Sequence, residues 1–352
     1  MNMPAKTYSR FAALVLAASV VCPAMATVTF SPFVASTGGS PIGFAYAGNK
    51  FVGSNYFNNQ LYQTDLSGAS VAAFGAPLPI GSGSIGEVYV SSSLGLGGFG
   101  ARDVFAGSEA AGTVYKFNND GTGQVAFATG LIGGVRSIAF DPYGLYGNDM
   151  IVATSAGRIY RITSLGVVTQ LASTGEDTEG LSFAPQAFGP VPSGTLVVAS
   201  EGSGSLRAVA PDGSLTPITT IASAEMVSFV PLNLGVSGNP LEGFYAANYS
   251  VNVIKSPYTD FTSYLGDMIV TGEVTHQVWD VSWNGSSFVS SLIGTFPNQP
   301  EDGIFVTAAI LNPGCERTNT CGGGSVPEPG SLTLLGLGLL GLAGTRRALH
   351  RS

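Results

Sequence analysis

Ser137-Ile138-Ala139-Phe140-Asp141-Pro142 returns in altered form as Leu181-Ser182-Phe183-Ala184-Pro185, and again as Val227-Ser228-Phe229-Val230-Pro231. The three phenylalanines are 43 and 46 residues apart. A second pattern follows each copy: an apolar run that ends in small residues, a polar turn, then another strand-like run. Residues 150–155 with 158–162 and residues 196–201 with 206–209 show it, residues 104–109 with 113–117 precede them, and residues 244–248 with 251–254 follow. Matching Phe105, Val152, Val198 and Tyr245 gives steps of 47, 46 and 47. Short strands at a period in the forties, with no long helical pattern, predict an all-β chain built as a β-propeller. One small antiparallel sheet cannot bury both of its faces, and neighbours stacked around an axis supply the missing contacts. A β-sandwich would also show short alternating strands, but it has no reason to repeat at these steps.

Two weaker pairs fit the same layout. Residues 51–55 with 60–65 stand at the front, and residues 268–273 with 277–281 at the back. The last pair starts only about 25 residues after its predecessor, so the unit there is degenerate or shares strands. Six strand pairs predict six blades, with five and seven left open. Glu301-Asp302-Gly303-Ile304-Phe305 resembles the inner-strand start Glu179-Gly180-Leu181-Ser182-Phe183 and is expected to return to the first blade and close the ring. Asp120-Gly121 and Asp212-Gly213 read as hairpin turns between outer strands. The Phe-x-Pro inner strand followed by a strand hairpin resembles propellers of the NHL and SMP-30/gluconolactonase-like kind, in repeat layout rather than in any catalytic signature. Trp279-Asp280 is a single occurrence, not a blade-ending WD pattern.

Both ends of the chain read as addresses. Lys6 and Arg10 precede an apolar stretch at 11–21, and Ala24-Met25-Ala26 fits the small-residue cleavage rule, so residues 1–26 are expected to form a helical signal peptide cut before Thr27. Val21 before Cys22 argues against a lipid-anchored cysteine, because that processing site wants a small residue there. At the other end stand Val326, Pro327, Glu328 and Pro329, a charge-free run at 332–343, and the basic cluster Arg346, Arg347 and Arg351. The two prolines favour an extended stretch. The apolar run predicts a short hydrophobic helix, below the roughly 20 residues of a stable membrane span, with the arginines kept on the cytoplasmic side. This order resembles the PEP-CTERM sorting signal of Gram-negative bacteria, a tail class also labelled "ice-binding protein C-terminal". No regular Thr-x-Thr array supports ice binding. The resemblance implies processing by exosortase after passage through the Sec translocon and signal peptidase. It also implies a transient inner-membrane stay, then the cell surface or an extracellular matrix of exopolysaccharide and biofilm.

The organisation read from the sequence is therefore a signal peptide at 1–26, a propeller at 27–311, a Cys/Gly-rich linker at 312–325 and a sorting tail at 326–352. Cys315 and Cys321 are expected to form a local disulfide in an oxidising compartment. The whole chain has 14 basic and 22 acidic residues. Setting aside Lys6, Arg10, Arg346, Arg347, Arg351 and Glu328 leaves nine and 21 in the body, a net charge of −12. With no basic cluster, that body is a poor nucleic-acid binder. His276 is the one histidine between the two address segments, which excludes multi-histidine metal sites, and no G-x-S-x-G elbow accompanies it.

Glu87, Glu179, Glu225 and Glu301 precede inner-strand candidates in four copies, with Asp177 and Asp302 nearby. Repeat symmetry would gather them at one end of the channel, where they could hold Ca²⁺, a cation that takes six to eight oxygens, or accept hydrogen bonds from sugar hydroxyls. Solvated loop charges are the plainer alternative. Asn55, Asn248 and Glu201 fall at comparable strand ends and could form part of a lactonase-type metal set. Tyr56, Phe57, Tyr62, Tyr245 and Tyr249 could line a carbohydrate platform or serve as core. The reading favoured by the sequence is a non-catalytic binding or scaffold propeller. A propeller hydrolase or lactonase with a calcium-type centre is the alternative.

Overall fold

The apolar second strand of each repeat is buried on both faces because each face meets a different neighbour. In the run Leu196–Ser200, Val197 packs toward one adjacent sheet and Val198 toward the other. A computed structural model describes residues 27–311. The signal peptide, both linker cysteines and the whole sorting tail, including Val326, Pro327, Glu328, Pro329, Arg346, Arg347 and Arg351, lie outside the described residues. The chain opens with β1 (Ser31–Val34). The first blade is β2 (Pro41–Tyr46), β3 (Phe51–Asn55), β4 (Leu61–Thr64) and β5 (Val71–Phe74). The second is β6 (Val88–Ser92), β7 (Val104–Ser108), β8 (Ala111–Phe117) and β9 (Val125–Thr129). The third is β10 (Val135–Phe140), β11 (Met150–Thr154), β12 (Arg158–Ile162) and β13 (Val168–Ser173). The fourth is β14 (Leu181–Phe183), β15 (Leu196–Ser200), β16 (Ser205–Val209) and β17 (Leu215–Thr220).

The last two blades are interlaced. After β18 (Ala224–Phe229) the chain crosses to the neighbouring blade for β19 (Gly243–Asn248) and β20 (Asn252–Pro257). It returns to pair β21 (Met268–Gly272) with β18, adds β22 (Gln277–Trp283) and β23 (Phe288–Thr295), then crosses again for β24 (Pro300–Val306). The fifth blade is thus β18-β21-β22-β23, and the sixth is β24-β19-β20-β1. All strand pairings are antiparallel, and Phe229 faces Met268 while Phe244 faces Phe305. Inner strands β2, β6, β10, β14, β18 and β24 neighbour one another in that order, and β24 meets β2 to complete a six-bladed propeller.

This arrangement corrects two details of the sequence reading. The 47-residue step from Val198 to Tyr245 joins the second strand of the fourth blade to that of the sixth, so it is not a one-blade period. The strand at Glu301 does close the ring, but as the inner strand of the sixth blade packed against the first. The outermost strand of the same blade is β1, from the other end of the chain. Val28 N–H adds a bond to the carbonyl of Ile293 in the fifth blade (2.8 Å).

Six hydrophobic clusters fill the six inter-blade seams. The seam between sixth and first blades is aromatic: Phe33, Phe51 and Tyr245 lie with ring centres 4.8–5.2 Å apart, and edge-to-face pairs of this kind add to area burial. The Asp-Pro turn after β10 is tied by Asp141, whose carboxylate accepts from the N–H groups of Tyr143, Gly144, Tyr146 and Asn148. The Asp120-Gly121 and Asp212-Gly213 turns join β8 to β9 and β16 to β17 as expected. A short helix, α1 (Ala308–Leu311), follows β24. Among the described residues no helix is long and apolar enough to cross a membrane.

Candidate functional site

Inner strands of a propeller all start at one end of the channel, so one repeat phase becomes one ring. Counting four residues back from Phe44, Phe140, Phe183, Phe229 and Phe305 gives Ser40, Arg136, Glu179, Glu225 and Glu301, and the second blade supplies Glu87 at its inner-strand start. Four of these six are the glutamates expected from the sequence, and the structure brings them to one mouth. The fifth, Arg136, was not anticipated, although its phase in the repeat marks it. The hairpins between second and third strands add Glu109, Glu201 and Glu273, and Asp177 comes from the loop before β14.

Arg136 neutralises one half of the mouth. Its guanidinium contacts Glu87 directly, Glu109 at 3.0 Å, Asp177 at 2.9 Å and Glu179 at 3.1 Å. Burial opposes its charge, yet Tyr89, Glu179, Asp177 and Glu87 together hold it well above the ordinary guanidinium range. The Tyr89 hydroxyl sits 2.9 Å from Glu87 Oε2 and 2.8 Å from Glu179 Oε2, bridging the two carboxyls.

The other half holds Glu201, Glu225, Glu273 and Glu301, which have no basic partner in an ion pair among the described residues, and Glu179 joins the two halves. Glu179, Glu201 and Glu225 each offer an oxygen within 4.8 Å of the other two. Gln299 Nε2 donates to Glu273 (2.5 Å) and Glu301 (2.8 Å). Glu225 and Glu301 are 4% and 1% exposed. Burial, reinforced by Glu179 and Glu301, pushes the Glu225 carboxyl well above the usual range. Burial and then Glu87 and Glu179 do the same to Glu301. Glu179 is pushed up to about 7 by burial, with Arg136 pulling the other way. Glu273 is pushed up to about 8 by burial and its contact with Glu201. Clustered carboxyls of this kind relax either by holding protons or by binding a cation.

The Glu179–Glu201–Glu225 trio could supply three of the six to eight oxygens that a calcium ion takes. Ligand oxygens at 2.3–2.6 Å from one ion stand at most about 5 Å apart, and the 4.8 Å limit on the Glu179–Glu201–Glu225 trio falls inside that span. Of the lactonase-type fragment, Glu201 reaches this cluster. Asn55 is a buried structural residue that accepts from Thr37 Oγ1 (2.6 Å), and Asn248 binds Asn252 (2.8 Å) and Asn298 N–H (2.9 Å).

An aromatic group borders the same mouth. Tyr56 and Phe57 have ring centres 4.2 Å apart, and Tyr249 stands 5.8 Å from Tyr56. Phe57 N–H bonds to the carbonyl of Gly86, next to Glu87 (3.0 Å), and Phe57 is 48% exposed. Tyr62 and Tyr245, read from the sequence either as part of that platform or as core, are buried core residues. Phe57, Ser250 and His276 adopt positive φ in the turns around this mouth. Left-handed non-glycine residues cost energy and concentrate at ligand-binding edges.

Residues 325–347 match the family model for the PEP-CTERM protein-sorting motif. No curated protein matches the chain. Among solved structures, the chain is similar to one from the nidogen/laminin complex at 12% identity, with 75% of this chain and 83% of that one covered and a TM-score of 0.52. Virginiamycin B lyase from Staphylococcus aureus aligns at 11% identity over 75% of this chain and 73% of its own, with a TM-score of 0.47. The first likeness supports the fold alone. The chain is a six-bladed β-propeller that ends in a PEP-CTERM sorting motif, the mark of an exported protein sorted by exosortase.

Proposed function

We propose that the propeller is a non-catalytic, calcium-dependent binding module held at the cell surface or in the extracellular matrix, with exopolysaccharide as its ligand. On this reading the chain passes the Sec translocon, loses residues 1–26 to signal peptidase, and resides in the inner membrane until exosortase processes the tail. The observation that carries the proposal is the convergence of Glu179, Glu201 and Glu225 within 4.8 Å, beside the Tyr56–Phe57–Tyr249 group. Carboxylates accept hydrogen bonds from sugar hydroxyls, bound calcium polarises them, and aromatic faces cover the apolar side of a pyranose ring.

The test is calorimetric titration of the full chain with calcium, paired with an acidic-polysaccharide screen with and without chelator. Calcium binding that Glu225→Gln weakens at least tenfold, together with chelator-sensitive glycan capture, is the expected result. Absence of calcium binding, or glycan capture indifferent to chelator, would overturn it. A metal-assisted hydrolase is the second reading. It is favoured by Glu179, whose carboxyl near 7 suits general acid–base work at neutral pH. Calcium-dependent lactone turnover abolished by Glu179→Gln would select it.

A further inference from the structure

The mouth gathers the starts of the inner strands. Second strands pair with them antiparallel, so each begins at the opposite end of its blade. An aspartate stands just before that strand in three of the blades: Asp103 before β7, Asp149 before β11 and Asp267 before β21. The third strand sets another charge at one fixed register position. Lys116 lies opposite Phe105, Arg161 opposite Ile151 and Asp280 opposite Ile269, each time the second residue of the second strand. In the second and third blades the result is an ion pair, Asp103 with Lys116 at 2.8 Å and Asp149 with Arg161 at 2.5 Å. In the fifth blade another acid holds the cation's place.

Asp280 is 2% exposed. It shares a face of β22 with Val278, which packs with Tyr264 in the seam between the fifth and sixth blades. Ser282 gives the carboxyl a hydrogen bond, yet Oδ1 is buried with no partner. Neither Asp267 nor Asp280 takes part in an ion pair among the described residues. Burial and then the Asp267 charge push Asp280 up to about 7, and burial pushes Asp267 up to about 6. Tyr264 is raised by its own burial and by Asp280. Neither acid lines the cavity beneath the mouth. A buried oxygen without a donor calls for an ion or a water, and a second acid in a slot that elsewhere holds a cation favours the ion.

We propose that Asp267 and Asp280 hold a divalent cation of the Mg²⁺ or Mn²⁺ kind, which restores the positive charge that Lys116 and Arg161 bring to their own blades. All-oxygen ligands suit these ions. Mg²⁺ is commonly held by one or two carboxylates and keeps several waters. Asp267 is half-buried, so it leaves a solvent side for those waters and a path for entry. This site shares no residue with the mouth, and either can fail without the other.

The probe is Mn²⁺ alone, titrated into the full chain and read as loss of the free ion's paramagnetic resonance signal. Every chain tested carries Glu225→Gln, so that ions at the mouth do not obscure the count. One bound Mn²⁺ is expected, with affinity weakened at least tenfold by Asp280→Asn. Asp267→Asn, at the more exposed acid, should do the same and keeps the test open should the first variant fold poorly. Trp279 and Trp283, the chain's two tryptophans, flank Asp280 on β22, so bound Mn²⁺ should also quench tryptophan emission. Binding or quenching that survives both substitutions, or no Mn²⁺ bound at all, would overturn the proposal.

Discussion

Glu225 carries the clearest residue-scale consequence. In the folded chain Glu179 and Glu273 titrate near 7 and 8, and Glu225 and Glu301 higher than ordinary carboxyls. In the unfolded chain each would titrate near about 4.3. Between those values the folded state binds more protons than the unfolded one, so stability falls as pH rises. Without calcium, the melting temperature should drop from pH 5 to pH 8. Glu225→Gln should flatten that slope and raise the pH 8 value by several degrees, at about 2–4 °C per kcal/mol for a domain of this size. Saturating calcium should restore the wild-type value at pH 8. A melting temperature that climbs between pH 5 and 8 would refute the buried-acid account. Arg136→Met should cost about 3–5 kcal/mol, the range for orphaning buried charges, with a smaller loss at pH 5, where Glu179 is protonated. Four of the mouth's acids were legible because they share a repeat phase. Arg136 was not, because a cation standing in an acid's slot looks like a break in the pattern until the ring is seen to need one.

At the scale of elements, inner strands approach closely enough that side chains are excluded between them. A Cβ on Gly180 would stand 2.7 Å from both Glu225 O and Val227 N, backbone atoms of β18 that cannot swing aside. Gly180→Ala should therefore lower stability by about 1–3 kcal/mol, the usual penalty of overpacking, and should weaken calcium binding because it parts Glu179 from Glu225. Gly81→Ala, whose Cβ meets nothing within 4 Å, is the control and should leave the denaturation midpoint unchanged. Strand pairs were easy to read at this level: all six hairpins found by pattern, from Phe51–Asn55 with Leu61–Thr64 to Met268–Gly272 with Gln277–Trp283, are hydrogen-bonded neighbours. Their sheet membership was not. Pattern records local alternation, whereas the choice of β21 over β19 as partner for β18 is made by contacts some forty residues away.

For the whole molecule, closure depends on β1, which contributes the last strand of the sixth blade and places Phe33 in the aromatic seam. Deleting residues 27–35 should leave five complete blades and one frayed, replacing a single cooperative unfolding transition by two and speeding proteolysis between residues 243 and 257 several-fold. A single transition at the wild-type midpoint would show that the clasp contributes nothing. The interlaced blades carry a temporal consequence as well. The innermost and outermost strands of one sheet come from opposite extremities of the chain. A polypeptide emerging amino-end first cannot seal its circle until Pro300–Val306 has arrived. Ring closure therefore waits for almost all of the propeller to be made, and any product truncated before that strand would leave Phe244 and Tyr245 without their covering edge, a sticky seam that invites association with other nascent chains.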